Sequence, residues 1–274
     1  MQDFSISPLR MAQGFWHHRR LAVSLIEREI IGRYRGSILG ILWSFFNPIL
    51  LLAVYTFVFS VVFNARWTPG SSSESKGEFA LVLFTGLIVF NLFAECISRA
   101  PVLIIGNTNY VKKVIFPLDI LLIVAFGSAA FHMMVSLLVW VVFYFVVFGI
   151  PPTTAILFPF GLLPICLYVL GASWFLASLG VYFRDVGHVI SVVVLMFMFM
   201  TPIFYPVSAL PQKYQFLVML NPLAITVEHI RGLLIWGHVP HLATYTVYLL
   251  GSVLAAWLGW AWFQKTRKGF GDVL

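Results

Sequence analysis

Several apolar runs in this sequence exceed about 18 residues, and none of them alternates with polar residues. That pattern limits the chain to few folds. A run of this length without period-2 alternation selects a membrane-crossing helix over a strand of a membrane barrel. In lipid every backbone hydrogen bond has to be made internally, which helices do by themselves. Composition closes the remaining exit. The chain is 61% hydrophobic and 10% charged, against roughly 25% charged in a soluble domain. It cannot cover itself with polar surface. The sequence therefore reads as an all-α integral membrane protein of six transmembrane helices, preceded by an N-terminal amphipathic interfacial helix.

The six spans fall at about 37–63, 79–97, 118–148, 155–181, 189–205 and 242–263. Each is long enough, or nearly so, to cross about 30 Å of hydrocarbon at 1.5 Å per residue. The fifth is the shortest; the first, third and fourth have length to spare for tilt. Residues 1–36 form a cytoplasmic segment, 206–241 a gate-like segment on the far side, and 264–274 a cytoplasmic tail. Lys and Arg place these sides. Thirteen lie in the N-terminal segment, the second and fourth connections and the tail, against four on the other side. With an even number of spans, the positive-inside rule puts both termini in the cytoplasm. No short apolar core with a small-residue cleavage site opens the chain, so the first span serves as an uncleaved insertion signal.

The connections carry more information than spacers would. From Phe15 to Arg35, Ala22, Val23, Ile26, Ile30 and Tyr34 recur at helical spacing, with Arg20, Ser24, Glu27, Arg28 and Arg35 opposite. That is the pattern of a helix lying in the membrane interface. It leads into a first span interrupted at Asn47-Pro48. Pro48 leaves the carbonyl of Ser44 without its helical donor, which makes Pro48 a candidate hinge. Residues 97–120 are half apolar, contain Lys112-Lys113 and stop at Pro117. Two readings fit: a cytoplasmic helix that docks on another protein, or one anchored at headgroups. The adjacent Arg184 and Asp185 do not face each other on one helix, so each needs a partner elsewhere. Residues 206–241 hold Pro206, Pro211 and Asn221-Pro222 and are too apolar for a loose loop; they read as one or two short helices dipping into the outer interface.

Several chemistries lack their residues. There is no GxxxxGK[ST] phosphate loop, no HExxH and no carboxylate deep in a span, so neither ATP binding by that route nor proton coupling is supported. His229, His238 and His241 have no metal-like spacing, and His132 reads as a satisfied buried histidine. Cys96 and Cys166 read as small buried hydrophobes. The net charge of +7 sits beside apolar runs and points to topology and anionic headgroups rather than nucleic acid. Aromatics make up 17% of the chain. Trp43, Asn47, Leu51, Tyr55 and Phe59 follow an i+4 row, and 196–206 is the dense run MFMFMTPIFYP. Either set can face lipid or contact the ring faces of sugars.

Four stretches together resemble one family, the permease subunits of ABC-2-type polysaccharide exporters. They are RYRGSILGILWSFFNPILLLAVYTFVFSVVF (33–63), NYVKKVIFPLDIL (109–121), YFRDVGHVISVVVLMFMFMTPIFYP (182–206) and LNPLAITVEHIRGLL (220–234). Asp119 stands where the family often has Glu, and Thr201 where Ser is common. The resemblance implies a homodimer in the bacterial inner membrane with two copies of a separate nucleotide-binding subunit. ATP and Mg would be bound by that partner, with no cofactor and no catalytic site in this chain. It implies coupling to the ATPase through Glu27, Arg28, Tyr110, Lys112, Lys113, Phe116, Arg184 and Asp185. It also implies a channel between protomers lined by Trp43, Asn47, Tyr55, Phe59, Met198, Thr201 and Tyr205. The cargo implied is a lipid-linked, O-antigen-like polysaccharide; teichoic acid, lipid, drug or haem are the alternatives within the same architecture.

Overall fold

The computed structural model describes residues 7–62, 67, 76–111 and 116–274. Among them every regular element is helical. A break at His18 divides the N-terminal segment into α1 (Pro8–His17) and α2 (Arg19–Tyr34), where the pattern predicts one helix. A 3-10 turn at Gly40–Leu42 leads into α3 (Trp43–Tyr55), which winds on as a π-helix through Thr56–Val62. Then come α4 (Lys76–Leu103), the single-turn α5 (Thr108–Val111), α6 (Ile120–Phe148), α7 (Phe158–Tyr182) and α8 (Val186–Met200). Two short helices follow, α9 (Gln212–Met219) and α10 (Pro222–Arg231), the latter continuing as a π-helix through Gly232–Trp236. The chain closes with α11 (Leu242–Thr266) and α12 (Phe270–Val273).

Among the described residues five helices are long and apolar enough to cross a membrane: Gly40–Phe59, Gly77–Leu103, Ile120–Phe148, Thr153–Tyr182 and Leu242–Val273. They lie where the sequence places spans one to four and six. The fifth differs. Its helix, α8, stops at Met200 rather than Tyr205. Pro202 cannot donate, and it disfavours helical geometry at Thr201, which is extended at ψ 137°. Fifteen residues rise only about 22 Å, short of the hydrocarbon thickness. The following pair, α9 and the α10–π unit, bends by 96° into a hairpin. The two short helices expected over 206–241 are present, and one face of α10 packs on the bundle, with Leu223, Ala224, Val227 and Ile230 fully buried.

α4 is the axis of the bundle. It packs on α6, α7, α8 and α10, and twelve consecutive residues, Phe79 to Phe90, are buried. α7 and α11 form the closest helix pair. Gly171 faces the backbone of Ala255, and Gly259 faces the backbone of Gly171, with no room for a Cβ at either. Gly180 meets the carbonyl of Pro101 in the same way, bringing α7 against the end of α4. Helices in lipid gain from such approaches because packing, rather than apolar burial, drives their association.

One end of the bundle gathers α1, α5 and α12 around a cluster of Leu103, Ile104, Leu121, Trp174, Val181 and Phe263, while Ala22, Leu25 and Ile26 of α2 pack on Ile120 and Val124 of α6. Phe15 of α1 stacks on Trp174 at 5.6 Å. The other end holds the hairpin of α9 and α10.

Candidate functional site

At the end that carries α1 and α2, α2 is fixed by both packing and charge. Ala22 and Ile30 of α2 are buried, and the side chain of Ile26 fills the space beside Gly127 of α6. Val23, expected on that buried face, is 55% exposed instead. Val23 sits about 100° round the helix from Ala22, so the contact with α6 is the narrower row of Ala22, Ile26 and Ile30. Arg33 pairs with Glu95 of α4 at 2.6 Å, and Arg99 reaches Glu29 at 2.6 Å and Glu95 at 3.7 Å. Tyr34 meets Nδ1 of His132 at 3.3 Å. Burial pushes the Tyr34 phenol above its ordinary value, so it keeps its proton.

Glu27 and Arg28 project from the exposed side of α2. Tyr110 and Phe116 stack at 4.3 Å and flank 112–115, so Lys112 and Lys113 lie outside the described residues. Arg184 and Asp185 sit exposed in the turn between α7 and α8. Glu27, Arg28, Tyr110, Phe116, Arg184 and Asp185 thus occur at one end of the molecule.

The residues expected along a channel separate into groups. Asn47 and Pro48 border a cavity of about 550 Å³ between α3, α4 and α6. The helix runs through Pro48 as α-helix, and its departure from α geometry comes later, at Thr56. Tyr55 and Phe59 join Phe204, beyond the end of α8, at 6.1 and 5.3 Å. Phe59 also stacks on Phe79 of α4 at 6.2 Å. Trp43 is 40% exposed. Met198 and Tyr205 are half-buried, and the Tyr205 hydroxyl donates to the carbonyl of Phe199 at 3.0 Å. Thr201 is fully buried and accepts a hydrogen bond from the Asn221 side chain at 3.0 Å. Asn221 in turn caps α10 by accepting from the backbone of Leu223.

Sequence reading misses the most connected polar residue. Arg231 enters it only as one of four charges on the outer side. In the structure it is fully buried. Its Nε donates to the carbonyl of Val82 on α4 at 3.1 Å. Its Nη1 donates to Pro202 at 2.6 Å and to the Glu228 carboxylate at 2.9 Å, and its Nη2 donates to Ile203 at 2.9 Å. The guanidinium also lies 4.1 Å over the ring of Trp67. One side chain therefore ties the re-entrant α10 to α4 and to the segment where α8 ends. The carbonyls of Pro202 and Ile203 lie beyond the end of α8, outside any helical ladder, so the planar five-donor fork of Arg suits the place. The available signal is Glu228-x-x-Arg231, an ion pair at helical spacing inside an otherwise apolar segment.

This set of crossing helices, with a re-entrant hairpin locked at one end, can be compared with known proteins. The profile of the family described as "ABC-2 type transporter" matches residues 20–235. The chain belongs to the ABC-2 type transporter family. Its relatives within that family extend the match over nearly the full length. An "O-antigen export system permease protein RfbA" of Klebsiella pneumoniae is 27% identical over 256 residues, covering 93% of this chain and 95% of the relative. One of the same description from Myxococcus xanthus is 26% identical, covering 96% and 99%. The "Polysialic acid transport protein KpsM" of Escherichia coli is 23% identical, covering 93% and 96%. This ABC-2 chain is accordingly a multi-pass membrane protein of a transporter family.

Proposed function

We propose that this chain is the membrane permease of an ATP-driven exporter that carries a lipid-linked polysaccharide, of O-antigen type, out of the cytoplasm. The observation that carries this reading is end-to-end similarity to permeases named for O-antigen and polysialic acid transport. The aromatic cluster of Tyr55, Phe59, Phe79 and Phe204 supports it, since ring faces offer sugar C–H surfaces a contact without fixing them. Two protomers pair with their α3 and α8 faces towards each other in the bacterial inner membrane. Both termini lie in the cytoplasm. Ile49, Val54, Val192, Leu195 and Phe199 on those helices are exposed in the single chain and suit such a pairing.

ATP and Mg belong to a separate nucleotide-binding subunit, present in two copies. It docks on the end where Glu27, Arg28, Tyr110, Phe116, Arg184 and Asp185 are displayed, with Lys112 and Lys113 in the same connection as Tyr110. Motion imposed on α2 passes to α4 through Glu29, Arg33, Glu95 and Arg99, while Pro48 lets α3 bend. The chain performs no covalent chemistry.

Deleting the gene from its host tests this reading. Loss of surface polysaccharide with lipid-linked polymer retained in the cytoplasm supports it. Intact surface polysaccharide, with loss of drug efflux or haem supply, overturns the cargo and leaves the family standing. Purification of the tagged chain without an ATP-hydrolysing partner would overturn the coupling assignments.

A further inference from the structure

We propose that the cavity between α3, α4 and α6 is a binding subsite for an uncharged, hydroxyl-rich group, a sugar residue of the cargo. The inference rests on the polysaccharide reading above and adds a location to it. The cavity, about 550 Å³, is lined by Asn47 of α3, Asn91 of α4, and His132 and Ser136 of α6, with the Arg33–Glu95 pair and Tyr34 also on its wall. This falls within the size range of small-molecule pockets, about 300–1,000 Å³.

Depth makes these groups informative. Asn91 is the sixteenth residue of the 28 in α4, and His132 and Ser136 straddle the midpoint of the 29 in α6. Each of these groups therefore lies well inside a helix long and apolar enough to cross a membrane, where lipid satisfies none of them. Asn91 is exposed directly after the twelve buried residues Phe79 to Phe90. Nε2 of His132 is buried and has no hydrogen-bond partner, while Nδ1 is held by Tyr34. An apolar occupant would strand the two amides and the imidazole at a cost for each, so the space holds water or a polar ligand.

Charge selects the ligand class. The cations at the mouth are already paired, Arg33 with Glu95 and Arg99 with Glu29. Among the described residues that line the cavity Arg33 is the cation, and its pair with Glu95 leaves no unpaired cation there to recognise a phosphate. What remains is a neutral set of amide, imidazole and hydroxyl groups beside the apolar walls of Leu51, Phe84 and Ile88. A sugar ring has the matching surface, hydroxyls at the edge and C–H groups on the face.

The test uses the full chain in its complex, in inside-out vesicles without nucleotide. Asn91→Cys and, separately, Ser136→Cys are reacted with the charged thiol reagent 2-sulfonatoethyl methanethiosulfonate; the unsubstituted chain with its own Cys96 and Cys166 sets the background. In vesicles from cells unable to make the polymer, both cysteines label. In vesicles from polymer-making cells, labelling slows about tenfold if cargo stands at about ten times its Kd. Val102→Cys, exposed on α4 outside the cavity, keeps its rate in both. Four results overturn the subsite: no labelling in either preparation, which means that a second protomer or lipid fills the space; protection in polymer-free vesicles on adding anionic lipid, which means a phosphate headgroup; equal rates with and without polymer; or equal slowing at Val102→Cys. If the unsubstituted chain exports polysaccharide in the same cells, these results remove the subsite alone. If it exports none, the proposed function fails instead.

Discussion

α4 and α3 are both apolar helices of a length to cross a membrane, yet the fold treats them oppositely. In the most apolar stretch of Gly77–Leu103, which lies in α4, 78% is buried within the chain; in that of Gly40–Phe59, which contains α3, it is 17%. α4 is fastened at both ends, by Arg231 at Val82 and by the Glu29, Arg33, Glu95 and Arg99 network. Among the described residues α3 has no comparable fastening. It has a polar cavity on one side, exposed Ile49, Leu50, Val54 and Phe57 elsewhere, and a π-helical end. Hydropathy does not separate the two, at 2.2 and 1.9. What differs is the source of contacts. α4 finds them inside the chain, whereas α3 leaves its surface for lipid, a second protomer or cargo.

Breaking the clamp on α4 should have the largest effect. Arg231→Ala leaves the carbonyls of Val82, Pro202 and Ile203 and the Glu228 carboxylate without their donor. Removing one partner of a buried pair costs about 3–5 kcal/mol. Thermal unfolding of the purified chain in detergent should show a large loss, with Arg231→Lys falling between, since an ammonium cannot reproduce the fork. A loss under about 1 kcal/mol would mean that α10 is held by apolar packing alone.

Next in size is Gly180→Val. The new side chain meets the carbonyl of Pro101, and overpacking of this kind costs about 1–3 kcal/mol. Gly32→Ala is its counterpart. Nothing lies near that Cβ position, so the change should stabilise α2 by about 0.5–1 kcal/mol. If both substitutions behave alike in the same melt, the close approach of α4 and α7 does not govern stability.

The sequence exposes one side of this contrast and hides the other. Length and hydropathy locate five of the crossings because each is a local property of about twenty residues. They do not say which crossing is the axis, since burial in protein and burial in lipid demand the same side chains. The end of α8 was legible in principle at Thr201-Pro202, but the apolar run continues past it and the longer span was read. Arg231 was counted as an outer charge because its partners are backbone carbonyls, which leave no mark in sequence. His132 was read as satisfied; one nitrogen is and the other is not. The polar cavity joins residues 47, 91, 132 and 136, and no spacing rule connects those positions.

On the α3 side, Tyr55→Ala with Phe59→Ala should separate stability from transport. Both rings are half-buried and pack on Phe204, and an aromatic contact adds only about 0.5–1.5 kcal/mol beyond burial. The melt should shift less than for Arg231→Ala, while polysaccharide export falls sharply. Normal export would assign the cluster to packing.

The smallest effect should come from Glu29→Gln. Glu29 and Arg99 are 26% and 30% exposed, and a pair this open contributes about 0–1 kcal/mol. The melt should barely move. Transport is the more sensitive readout, because the substitution removes the charge that joins α2 to α4 through Arg99 and leaves Arg99 to share Glu95 with Arg33. Export that drops with ATP hydrolysis intact would place Glu29 in the transmission of motion to the fixed helix. Unchanged export would leave Arg33 and Glu95 as the ionic route between them.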